Sequence, residues 1–118
     1  MNESIYWLLE LKIQPRQMEE FRALMKAMIE SARGEIDTQS YDWTLSEDSK
    51  TCHILERFSD CAAAMIHART FQAKFAGKLL DLAKPASLVV YGKPTPQLRD
   101  ALAAFSPTFM SPLGGFHR

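Results

Sequence analysis

Leu55-Glu56-Arg57-Phe58-Ser59-Asp60-Cys61-Ala62-Ala63-Ala64-Met65-Ile66-His67 is the stretch on which the reading of this chain turns. Its first four residues end a segment of period-two alternation, with Cys52, Ile54, Glu56 and Phe58 on one side and His53, Leu55 and Arg57 on the other. Ser59 or Asp60 can cap a helix by accepting otherwise unpaired N–H groups, and the alanine-rich run that follows favours one. A strand therefore feeds a helix. Glu56 and His67 meet only if that helix folds back over its own sheet.

Upstream, Lys50–Phe58 pairs with a strand read at Ser40–Glu47, the two joined by Glu47-Asp48-Ser49 into an antiparallel hairpin. Tyr41, Trp43 and Leu45 share one face of the earlier strand. Further upstream, Ile5, Trp7, Leu9, Leu11 and Ile13 alternate with Tyr6, Leu8, Glu10 and Lys12, another strand pattern. Gln14-Pro15 ends it and opens a helix over 16–33. Met18, Phe21, Met25, Met28 and Ala32 form its apolar stripe, with Gly34 expected as a left-handed stop. The methionines are expected in the core, where their flexible sulfur chains also suit an adaptable pocket.

Downstream, helical character is expected from Cys61 to about Ala68 and again over Gln72–Ala83, with a bend at Thr70-Phe71. Lys84-Pro85 is expected to stop it before a fourth strand at Ser87–Gly92. The order β-α-β-β-α-β predicts an α+β ferredoxin-like sandwich, with both helices on one face of a four-stranded antiparallel sheet. Large apolar residues on both strand faces would leave an exposed patch, so face-to-face homodimerisation is expected. Residues 1–93 form this domain. Residues 94–118 are read as a helix capped by Thr95-Pro96, carrying Leu98, Leu102 and Phe105, and an apolar tail packed on the domain or on a partner subunit.

The chain has 118 residues, 47% of them hydrophobic and 24% charged, which suits one globular domain. Lys+Arg and Asp+Glu both count 14, so no global field draws nucleic acid or an anionic membrane. No apolar run approaches the roughly 18 residues of a membrane helix. Two cysteines, Cys52 and Cys61, are too few for a disulfide scaffold, and no secretory pattern opens the chain, so a cytoplasmic location is expected. Asn2-Glu3-Ser4 matches a glycosylation sequon without an export context.

The pattern resembles the antibiotic biosynthesis monooxygenase-like family of dimeric α/β barrels, which includes quinol and polyketide-anthrone monooxygenases. The resemblance rests on Ile5–Ile13 as first strand, Tyr41-Asp42-Trp43 in the second, Glu56-Arg57-Phe58 ending the third, and His67 in the following helix. It implies a homodimer whose two sheets form a shared barrel, and cofactor-independent oxygenation of phenols. Haem-degrading relatives use an asparagine–tryptophan–histidine set, and the one asparagine here, Asn2, lies outside any expected pocket.

The resemblance makes Glu56 and His67 the candidate catalytic pair, an imidazole that titrates near neutrality beside a carboxylate. The same two residues equally suit a structural strand-to-helix hydrogen bond. Trp43, Tyr41, Trp7 and Tyr91 are candidate walls for a flat ligand, or simply core and dimer packing. No metal site is expected: Cys52, His53 and Glu56 do not converge along a strand, and His117 reaches a site only if the tail folds inward. No glycine-rich phosphate loop follows a strand, so no nucleotide or flavin motif is present. The expected activity is cofactor-free monooxygenation of a quinol-like or polycyclic phenol. The alternatives are a non-catalytic dimeric barrel that binds a small hydrophobic molecule, and an isomerase or lyase on the same fold.

Overall fold

Period-two alternation in Ile5–Ile13 places Ile5, Trp7, Leu9, Leu11 and Ile13 on a fully buried face of the first strand, β1. The computed structural model describes residues 3–118, so Asn2 of the sequon lies outside it. A single 3₁₀ turn at Pro15–Gln17 leads into helix α1, Met18–Arg33. Strands β2, Thr38–Leu45, and β3, Thr51–Phe58, follow as the hairpin. Helices α2, Cys61–Lys74, and α3, Ala76–Leu82, precede strand β4, Ala83–Tyr91. The chain ends with helix α4, Pro96–Leu102, a 3₁₀ turn at Ala103–Phe105, and a short strand β5, Thr108–Met110.

The sheet order is β2-β3-β1-β4-β5. The first four strands are antiparallel and give the ferredoxin-like α+β arrangement. The expected four strands are five, because β5 adds in parallel to β4 and ties the tail to its own domain. Phe21, Leu24 and Met28 of α1, Ala63 and Ala64 of α2, and Leu79 and Leu82 of α3 join the inward β1 face in one core. Leu98 and Leu102 of α4 complete it. The opposite sheet face carries no helix and shows Tyr6 and Leu55 to solvent.

Several boundaries differ from the sequence reading, each for a local reason. Asp48 accepts hydrogen bonds from the Ser46 hydroxyl and the Lys50 N–H, which draws 46–50 into the turn and shortens both hairpin strands there. Gly34 keeps a right-handed conformation (φ −78°) and is not a left-handed stop. The helix instead tightens at its end, with Gly34 N–H donating to Ser31 and Glu35 N–H to Ala32. Helix α2 runs through Thr70-Phe71, and the break falls at Phe75. Pro85 does not stop pairing. Its lack of an N–H is absorbed by a register shift opposite Glu10 and Leu11, so β4 begins at Ala83.

Helix entrances follow the expected chemistry. Asp60 Oδ1 accepts from Ala63 N–H at 2.9 Å, and Thr95 Oγ1 accepts from Leu98 N–H at 3.2 Å with Pro96 in the first turn. The Asp60 cap fixes where α2 starts. Two helical turns later, it delivers His67 over the sheet.

Candidate active site

Strand register assembles the floor of the site. Trp7 lies opposite Glu56 on one side and Tyr41 lies opposite Glu56 on the other, so three inward side chains form a single row across β1, β3 and β2. His67 descends on this row from α2. Its ring centroid stands 5.1 Å from those of Tyr41 and Phe58 and 6.4 Å from that of Trp7.

Both imidazole nitrogens are taken by carboxylates. Nε2 lies 2.9 Å from Glu56 Oε1, and Nδ1 lies 2.8 Å from Glu35 Oε1. The three side chains are almost fully sheltered, with 9%, 5% and 13% exposure for His67, Glu56 and Glu35. Thr38 Oγ1 donates to the same Glu35 oxygen at 2.8 Å and fixes its orientation. A neutral imidazole would turn a lone pair toward one carboxylate, whereas an imidazolium donates to both. Burial works against the cation, yet the hydrogen bonds and charges of Glu56 and Glu35 outweigh it and push His67 up to about 9. The ring is therefore cationic at neutral pH, held by two anions. Burial and the adjacent Glu56 charge keep the Tyr41 phenol far above its ordinary range, so it stays a neutral donor.

Glu56 and His67 form the polar end of a cavity of about 40 Å³. Trp7, Tyr41, Leu88, Phe71, Leu102 and Phe105 are among the other residues of its mainly apolar wall, with Gln72 as a polar exception. That volume holds about three water molecules as it stands. An aromatic ring enters only if Phe71, Leu102 or Phe105 gives way. Phe71 and Phe105 pack together with centroids 6.0 Å apart, so α2 and the turn after α4 meet over the cavity.

Of the side chains singled out from sequence, Glu56, His67, Trp7 and Tyr41 come together. Trp43 and Tyr91 do not line the cavity. Trp43 packs edge-on against Phe21 and Tyr41, its indole N–H buried short of any hydrogen-bond geometry. Tyr91 stacks on Tyr6 at 5.0 Å on the helix-free sheet face, because it sits in register with an outward residue of β1. His53 pairs with Glu10 at 2.9 Å on that same outward face, and His117 is exposed in the tail. Among the described residues no three His, Cys, Asp or Glu side chains are arranged to hold a metal ion.

Glu35 was not legible beforehand. It is an isolated acidic residue after a glycine, with no periodicity to mark it, and only the tightened end of α1 turns it toward His67. Phe71, Gln72, Leu102 and Phe105 join the site through the long α2 and the fold-back of α4.

Solved structures share this architecture. MupZ from Pseudomonas fluorescens superposes with a TM-score of 0.87 at 23% identity, covering 100% of this chain and 91% of its own. A Bacteroides thetaiotaomicron protein named as a candidate antibiotic biosynthesis monooxygenase gives 0.63 at 26% identity, covering 75% of this chain and 85% of its own. The fold is that of the antibiotic biosynthesis monooxygenase-like proteins. Rv0793 from Mycobacterium tuberculosis shares it, with a TM-score of 0.67 at 24% identity, covering 74% of this chain and 91% of its own. No protein-family model matches the sequence, and no curated protein matches it. The MupZ likeness spans the C-terminal helix and tail as well as the ferredoxin-like portion.

Proposed function

We propose that this chain is an acid–base catalyst acting on a small, mainly apolar molecule. Glu56 and His67 exchange the proton, and Trp7 and Tyr41 flank the reacting group. The observation that carries this reading is an imidazole with both nitrogens on buried carboxylates at the polar end of an apolar cavity. Such a relay can accept a proton through Glu56 and donate one through His67 without bulk water. The three charged groups sum to one negative charge, and the cavity wall contributes no lysine or arginine. An uncharged substrate is therefore favoured over an anion.

The resemblance to monooxygenases supplies the first chemistry. Glu56 takes the hydroxyl proton of a hydroquinone, and the resulting phenolate is electron-rich enough to reduce molecular oxygen. One oxygen atom enters the ring, the other leaves as water, and the product is a hydroxyquinone. A second reading, redox-neutral isomerisation or elimination, is favoured by the cationic state of His67, which makes it an acid as well as a conduit. Oxygen uptake across a panel of hydroquinones separates the two, since redox-neutral turnover continues anaerobically. Equal rates for wild type and His67→Ala would remove His67 from either mechanism. Ligand-dependent melting shifts without any turnover would instead make the chain a non-catalytic binder of hydrophobic molecules.

The helix-free sheet face supports the homodimer. Tyr6, Tyr91 and Leu55 lie on it, with the Arg57 guanidinium 4.1 Å above the Tyr6 ring. A second copy laid on this face would bury these groups and close a barrel. Cys52 and Cys61 are free thiols, consistent with a reducing cytoplasm. No helix among the described residues is long and apolar enough to cross a membrane.

A further inference from the structure

His67 is a wall between two cavities. The larger one touches Glu56 and His67 but not Glu35. A smaller one of about 10 Å³ touches Glu35 and His67 but not Glu56, and Ser31 and Thr70 are among the residues that line it. That volume suits a single water with several polar partners. His67, with Met28, Tyr41 and Phe71, lines both cavities, and each of its ring nitrogens has its own carboxylate.

We propose that Glu35 is the outer end of a proton relay, exchanging protons between His67 Nδ1 and solvent through the smaller cavity while Glu56 serves the substrate. The inference rests on the acid–base reading of the site and gives Glu35 a positioning role, because it never touches substrate. When Glu56 takes a proton from substrate, the imidazolium keeps Nε2–H and releases Nδ1–H to Glu35. Glu35 then releases that proton to solvent through the smaller cavity, so that the three groups again sum to one negative charge; both steps reverse when Glu56 returns its proton. Thr38 holds Glu35 in line by donating to the oxygen that faces Nδ1. The groups facing His67 from the surrounding elements are Glu56 of β3, Tyr41 of β2 and Glu35 of the loop after α1. Helices α3 and α4 present only Leu79, Ala101 and Leu102 to the larger cavity.

A purely structural role predicts a different behaviour, and the difference can be read without any substrate. The two ring N–H protons of His67 can be followed separately by nitrogen-15 NMR, and their exchange with water measured at pH 6.5. Glu35→Gln keeps a carbonyl oxygen for the Nδ1–H to bond but removes the proton acceptor. The expected result is that Nδ1–H exchange slows by roughly tenfold or more, the effect of at least one pKa unit of lost basicity, while Nε2–H exchange stays within about twofold. Glu56→Gln should show the reverse pattern. Thr70→Val leaves all three ionisable groups in place but removes a hydroxyl from a residue that lines the smaller cavity, and it should slow Nδ1–H alone. Equal slowing of both protons in Glu35→Gln would mean that global opening controls exchange and would overturn the relay. So would unchanged Nδ1–H exchange in both Glu35→Gln and Thr70→Val. Failure of the substrate panel leaves this readout intact, so the relay and the proposed reaction can fail separately.

Discussion

Raising the pH should weaken this fold well before ordinary alkaline denaturation, and His67 sets the size of the effect. An unfolded histidine titrates near 6.5, whereas the folded ring is held up to about 9 by Glu56 and Glu35. Between those values the folded state binds a proton that the unfolded state has lost, so stability is complete below pH 6.5 and falls as pH rises through 9. Full linkage over such a gap is of order 3 kcal/mol, and the portion lost between pH 6.5 and 8.5 is about 2 kcal/mol. A domain of this size has only about 6–18 kcal/mol to lose, so the change is readily measured. Urea unfolding at fixed protein concentration, at pH 6.5, 7.5 and 8.5, gives it directly. Staying below pH 9 matters because burial pushes the Cys52 thiol up to about 11, and its own linkage acts in the same direction at higher pH. Glu35→Gln should flatten the slope by removing one of the two anions that hold the proton. Stability that is level or rises from pH 6.5 to 8.5 in the wild type would refute the cationic ring and, with it, the charge pattern of the site.

Three further outcomes follow from the same geometry. Phe105→Ala should enlarge the roof of the cavity and let 1-naphthol bind with a calorimetric signal that wild type lacks, while lowering stability by about 1–3 kcal/mol, because Phe105 is only partly buried. Leu55→Asp, at the exposed centre of the helix-free sheet face, should shift sedimentation toward a monomer while leaving the far-ultraviolet circular dichroism unchanged. Gly92→Ala should cost about 1–3 kcal/mol in urea unfolding, since Gly92 holds φ +122° and a new Cβ would stand 2.9 Å from both the Ser4 carbonyl and the Ile5 side chain.

Alternation and capping carried most of the fold in the sequence. The period-two runs in Ile5–Ile13 and Thr51–Phe58 fixed which side chains turn inward, and so placed Trp7, Glu56 and Phe58 in one layer. Asp60 and the alanine run placed His67 above them. What the pattern could not supply came from long-range geometry. Tyr91 and Trp7 both read as inward aromatic candidates, but only the β1–β4 register shows Tyr91 opposite the outward Tyr6. Pro85 reads as a terminator in isolation, and only a partner strand with an irregular register can accommodate it. Strand β5 has three residues and depends on the fold-back of α4, so it left no periodic trace. Glu35 has the same origin: its role depends on one tightened helix end and a neighbour 32 positions away.

The presence of that second carboxylate bears on what the site is for. A structural tie between β3 and α2 needs one carboxylate and one imidazole N–H, which Glu56 and His67 already provide at 2.9 Å. Adding Glu35 at 2.8 Å buries a further charge, and the cost of removing charges from water commonly rivals their attraction. An apolar side chain in its place would avoid that cost. The arrangement is therefore poorly explained by helix anchoring alone. It is well suited to proton exchange, because a ring that carries hydrogen on both nitrogens can release one to either carboxylate with little movement. The Phe71–Phe105 contact covers part of the Glu56-side cavity, and Ser31 and Thr70 are among the residues that line the smaller cavity on the Glu35 side. Each carboxylate meets its own cavity across a single histidine, an arrangement for which a plain brace would have no use.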